Sequence, residues 1–146
     1  MDQSEQSEFR MLVGSWRLQS LGIIFSDTGE RIDQFGPSPV GRMVLAASGR
    51  IMFLFGKPNR EPPSSAADKA NLFDSMVSYT GIVKMDGPGR FITTIDLAMH
   101  PGVRGEQVRF FELAGDRPSI RTPEQTLVVY GNRLLIADLI WIREPD

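Results

Sequence analysis

The sequence predicts an all-β protein, built either as an antiparallel sandwich or as an up-and-down barrel. Three observations carry that reading. About nine or ten short apolar stretches recur at regular spacing along the chain. Turn sequences such as SDTGE, SG, DGPG and GN join most of them. Only one stretch has the apolar spacing of a helix.

The chain is read as a single domain over residues 1–146. A domain of this size buries roughly 70% of its unfolded surface, so it needs no staple. Residues 1–8, MDQSEQSE, are polar and acidic and read as a frayed end. FRMLV, 9–13, reads as a helical turn that brings Phe9 and Leu12 to the core. The first strand pair runs through WRLQSLGIIF and turns at SDTGE. FGPSPVG, 35–41, is a rigid connection, because Pro37 and Pro39 fix φ. RMVLAA and RIMFLF form the next pair around SG.

GKPNREPPSS, 56–65, holds three prolines and is excluded from a sheet interior. The one helix follows it, with Ser65 as N-cap and Asp68 three places on. Leu72, Phe73, Met76 and Val77 continue its apolar face. Strands resume with YTGIVKM, RFITTIDLAM, EQVRFFEL and SIRT, the last two joined by AGDR. QTLVVY and RLLIADLIWIRE close the chain around GN.

Side chains alternate across a strand. In EQVRFFEL, Gln107, Arg109, Phe111 and Leu113 share a face, and Glu106, Val108, Phe110 and Glu112 share the other. The second set ends in a carboxylate beside a turn, which suits solvent. Arg109 therefore points inward, where a charge needs a partner or a ligand. Asp96 and Glu106 are candidate carboxylate partners. In the last strand both faces are largely apolar: Leu135, Ala137, Leu139, Trp141 and Arg143 on one, Leu134, Ile136, Asp138, Ile140 and Ile142 on the other. The outer one needs a cover, either the helix or a second copy, so a homodimer is expected.

Composition excludes several classes. With 16 Lys plus Arg, 18 Asp plus Glu and no basic block, nucleic acid is not an expected partner. The absence of Cys rules out disulfides and Cys-held zinc. His100 is the single histidine, too few for a His-built metal site, and it stands in the loop HPGVRG. No apolar run approaches a membrane span and no secretory leader is visible, so a cytoplasmic location is expected. No phosphate-loop spacing occurs, and neither cofactor nor metal is expected.

Gly14-Ser15-Trp16 at the head of the first strand resembles the Gly-x-Trp signature of lipocalins. More of the chain is similar to the bacterial and fungal lipocalin-like domain family. The matching motifs, in order, are GSWRLQS, FGPSPVG, SGRIM, PNREPP, YTG, EQVRFFEL, GDRPSIRTP and LIWIRE. The resemblance implies an up-and-down β-barrel with one short helix on the barrel or over its mouth. It also implies that Gly14, Trp16 and Arg143 form a plug, with the guanidinium over the indole. The chain departs from the family where a His often stands, near Thr93 or Thr94, and where the HPGVRG loop often carries a Trp. Pro118 stands where the family favours Leu.

The expected function is binding of a small, mostly hydrophobic molecule inside the barrel. Arg109 orients a carboxylate or carbonyl, Tyr79 donates at the mouth, and Phe53, Phe111, Leu113, Met99 and Trp141 are walls. Met52 and Met85 are further candidates for an adaptable lining, and Thr122 reads as a structural polar group at a strand end. The alternative is an isomerase, cyclase or dehydratase acting on a polyketide- or terpenoid-like metabolite, as small barrels resembling lipocalins sometimes are. Arg109 then polarises a carbonyl, and Tyr79 or Asp96 moves a proton. A filled barrel with no ligand is the third reading.

Overall fold

The computed structural model describes residues 1–113 and 117–145. Nine strands are found among them: β1 (Gly14–Phe25), β2 (Arg31–Asp33), β3 (Val40–Leu45), β4 (Arg50–Gly56), β5 (Met76–Met85), β6 (Arg90–Ala98), β7 (Gly105–Glu112), β8 (Ser119–Arg121) and β9 (Leu135–Arg143). Two helices accompany them, α1 (Gln3–Leu12) and α2 (Ala66–Asp74). Each strand from β3 onward pairs antiparallel with the next, and β1 pairs with both β3 and β9. The eight strands β1 and β3–β9 thus close a barrel, which leaves the sheet no open edge there. Short β2 extends along the second half of β1, beyond the segment that pairs with β3.

Strict alternation explains the closure. In β3, Gly41, Met43 and Leu45 are buried while Val40, Arg42 and Val44 are exposed. The same two-residue period in β5 sends Tyr79, Gly81, Val83 and Met85 inward. In β6 the register slips opposite Thr80 and Gly81, so Asp96 is an extra residue. Its carboxylate stands on the outside, 2.6 Å from the Arg50 guanidinium.

Three expectations need correction. Residues 1–8 are not a frayed end: from Gln3 they belong to α1, which a capping box between Asp2 and Glu5 starts. Glu5 and Glu8 also accept the Gly87 and Gly89 N–H groups of the β5–β6 turn, at 3.0 and 3.2 Å. The helix after the Pro-rich segment stops at Asp74, so Met76 and Val77 belong to β5 and pair with Gly56 and Phe55. Its end is capped from outside, by Arg60 donating to Ser75 Oγ at 2.9 Å and to the Leu72 carbonyl at 3.2 Å. QTLVVY is not a strand. Only Gln125 makes a bridge, to Leu135, and Val128–Tyr130 forms one 3₁₀ turn. The Ser65 cap stands as read, accepting the Asp68 N–H at 3.0 Å. The AGDR turn falls, for residues 114–116, outside the described residues.

The outer face of β9 differs from the bare apolar band that suggested a homodimer. Asp138 is buried there between Arg31 and Arg121, each 3.2 Å away. Gly22 makes the seat possible, because a Cβ on it would fall 2.0 Å from the Arg31 guanidinium carbon. Ile136, Ile140 and Ile142 are half-buried. The exposed apolar row lies instead on β3, β4 and β6, where Val44, Met52 and Leu97 flank Thr80.

Candidate functional site

The two ends of the barrel are built differently. At the end where β1 begins, Trp16 is 1% exposed and its Nε1 donates to the Leu12 carbonyl at 2.9 Å. The Arg143 guanidinium carbon lies 4.1 Å from the centre of a Trp16 ring. Its Nη1 donates to the Val13 carbonyl at 3.0 Å and its Nη2 to the Met11 carbonyl. The arginine therefore ties the indole to the last turn of α1. Gly14 is required here on two counts: its φ is +135°, and a Cβ would stand 2.7 Å from Arg143 Nη1. An apolar void of about 10 Å³ lies inside this end. It is too small and too apolar to favour a water.

The other end is hollow. A cavity of about 320 Å³ lies among the end of β4, the starts of β5, β7 and β9, and the loops beside them. Leu21, Phe53, Phe55, Val77, Ala137 and Leu139 give it apolar walls. Its polar side chains are Gln34, Tyr79, Gln107, Arg109, Thr122, Gln125 and Thr126. This size lies near the lower bound of small-molecule sites, whose usual character is an apolar wall with placed polar groups.

Arg109 is half-buried in this wall, and its Nη1 donates to the Val108 carbonyl at 2.7 Å. Among the described residues no carboxylate lies within ion-pair distance of it. Burial pushes the Tyr79 phenol above its ordinary value of 10.0, while the neighbouring Arg109 guanidinium pulls the other way. Tyr79 is therefore a neutral hydroxyl at physiological pH. Thr122 is 6% exposed, and its Oγ1 accepts from the Ala137 N–H at 2.9 Å and from Gln125 Nε2 at 3.4 Å. Tyr79 of β5, Gln107 and Arg109 of β7 and Thr122 just past β8 thus bring polar groups to the cavity, and Leu21 of β1, Phe53 and Phe55 of β4 and Ala137 and Leu139 of β9 bring apolar ones.

Of the expected site residues, Arg109, Tyr79 and Phe53 line this cavity and Phe111, Met99 and Trp141 do not. Phe111 packs deeper, its ring 5.8 Å from that of Phe91. Trp141 is fully buried behind Phe53, ring centres 6.0 Å apart. Met99 is half-buried in the loop after β6, and Leu113 also falls outside the lining. Met52 is exposed on the outer face, and Met85 is buried away from the cavity. Asp96, held by Arg50 outside the barrel, cannot serve as the proton carrier beside Arg109. His100 rests against Phe73 of α2, ring centres 4.1 Å apart. Gln107 was legible, since alternation puts it on the face of Arg109. Gln125 and Thr126 were hidden in a stretch that reads as strand.

Among the described residues no three His, Cys, Asp or Glu side chains are grouped to hold a metal ion. No helix is long and apolar enough to cross a membrane.

A closed eight-stranded barrel, corked at one end and hollow at the other, is a small-molecule-binding barrel in general form. The chain matches the model of the lipocalin-like domain over residues 13–143, and it belongs to that family. No curated protein matches the chain.

Proposed function

We propose that this protein binds a small, mostly hydrophobic molecule carrying a carboxylate or carbonyl, which Arg109 orients in the cavity. The observation that carries this reading is a half-buried guanidinium on the wall of a 320 Å³ cavity, with no carboxylate partner among the described residues. A charge removed from water without compensation is costly, and an acidic or carbonyl ligand supplies the compensation. Arg109→Leu is the test, with binding of hydrophobic carboxylic acids followed by calorimetry. A charge-assisted hydrogen bond is worth about 1.5–3 kcal/mol, so affinity should fall about 10- to 150-fold while the melting temperature holds. Undiminished affinity in a folded variant removes Arg109 from the site.

The phenol of Tyr79 beside Arg109 favours a second reading, a barrel isomerase, cyclase or dehydratase. In it Arg109 polarises a carbonyl and Tyr79 supplies the proton. Tyr79→Phe separates the two readings. A binding protein keeps its affinity for an acid to within about tenfold, the worth of one neutral hydrogen bond. An enzyme loses about 10²–10⁴ in turnover, the usual contribution of a general acid or base.

A further inference from the structure

The cavity leaves the apolar row on the outside of the barrel unexplained. Val44, Met52, Thr80 and Leu97 are direct cross-strand neighbours on β3, β4, β5 and β6. Met52 is 56% exposed and Leu97 70%. The Thr80 hydroxyl is engaged on the Ile51 carbonyl at 2.7 Å, so it asks nothing of a partner. Exposed Leu54 and Ile82 continue the face in the rows on either side. A contiguous apolar face of this kind marks an interaction surface.

The face has relief, and the relief names the partner. On β4 the outward Met52 and Leu54 are long, while Thr80 and Ser78 opposite them on β5 are short. A ridge therefore runs beside a groove. With Val44 beyond the ridge and Leu97 beyond the groove, the order across the four strands is small, large, small, large. A twofold axis along the strands, between β4 and β5, lays that order over its own reverse. Met52 then meets Thr80 of the second copy, Leu54 meets its Ser78 and Leu97 meets its Val44. Each contact joins a large side chain to a small one, in the aligned packing that two sheet faces favour. Charge does not oppose the approach. Of the guanidiniums bordering the face, Arg50 is held by Asp96 at 2.6 Å and Arg42 by Glu144 at 3.3 Å, both within the chain. Four strands about 4.8 Å apart and three rows about 7 Å apart give about 400 Å² of face per copy. A standard stable interface takes about 800 Å² per partner, so this contact is a weak one. We infer that two copies of this chain associate face to face through β3–β6 as a reversible twofold dimer. The inference does not rest on the binding role of Arg109.

Sedimentation equilibrium of the full chain tests it. The unmodified protein should show a monomer–dimer equilibrium with a dissociation constant of about 10–500 µM, as a contact of this size allows. Met52→Asp puts an uncompensated charge into the contact twice per dimer and should weaken it at least about tenfold. Leu97→Asp serves the same purpose should the first variant not fold. Thr80→Met fills the groove and should weaken the dimer too. Met52→Thr combined with Thr80→Met exchanges ridge and groove and should restore it. A chain that stays monomeric up to about 1 mM, beyond the weakest constant expected, overturns the inference and leaves the face to a different partner. A dimer that the aspartate variants leave intact overturns it as well, by placing the contact elsewhere. A dimer lost in Thr80→Met and not regained in the double variant overturns the twofold arrangement.

Discussion

Trp16→Ala is expected to lower stability by about 3–5 kcal/mol, the usual cost of emptying a buried aromatic site. Against a total of about 5–15 kcal/mol for a domain, that is a large fraction. For a chain of this size it corresponds to a fall in melting temperature of roughly 6–20 °C. The expectation rests on three linked contacts. The indole fills the closed end at 1% exposure, its N–H satisfies the Leu12 carbonyl, and its face carries the Arg143 guanidinium. Alanine removes all three and frees Arg143 from its place over the ring. A guanidinium on an indole adds about 0.5–1 kcal/mol, or about 2 when desolvated. Trp16→Phe keeps a ring but not the N–H, and should fall between the two proteins. Denaturant unfolding gives the measurement, and an alanine variant with an unchanged midpoint would falsify the cork.

How much of this was legible depended on whether a signal was local or distributed. The barrel was legible because alternation and turn chemistry agree along most of the chain. Gly14, Trp16 and Arg143 were legible only through resemblance: Gly14 and Arg143 are 129 residues apart, and no periodicity links them. The last turn of α1 was legible in FRMLV, and its first turns were missed because Gln, Ser and Glu there present no apolar stripe to announce a helix. Its order comes from a capping box and from two carboxylates on distant N–H groups, and the second is a tertiary contact. Arg109 was placed inward correctly by strand parity. Depth was the part that parity could not give. Phe111 shares the face of Arg109 yet packs against Phe91, because the cavity occupies only the end of the barrel where β7 starts. Asp96 was named as a proton carrier with no face assigned to it, and the structure holds it outside the barrel beside Arg50.

Phe53→Ala should cost about 3–5 kcal/mol as well, but with a different signature. Phe53 is 4% exposed, with ring centres 4.9 Å from Tyr79 and 6.0 Å from Trp141. It divides the cavity from the packed layer that holds Trp141. Each aromatic pair adds about 0.5–1.5 kcal/mol beyond area, so losing the ring also loosens Tyr79 beside Arg109. The space left behind joins an existing cavity, whereas the space left by Trp16→Ala lies at the opposite end of the barrel. A ligand can therefore restore part of the loss in one variant and not in the other. A bulky hydrophobic acid at 100 times its dissociation constant stabilises a binding protein by about 2.7 kcal/mol. The Phe53 variant should accept acids too wide for the unmodified protein and gain more stability from them. The Trp16 variant should gain no more than the unmodified protein does. Thermal unfolding with a series of widening aryl carboxylic acids makes the comparison, and equal gains in all three proteins would remove Phe53 from the wall of the site.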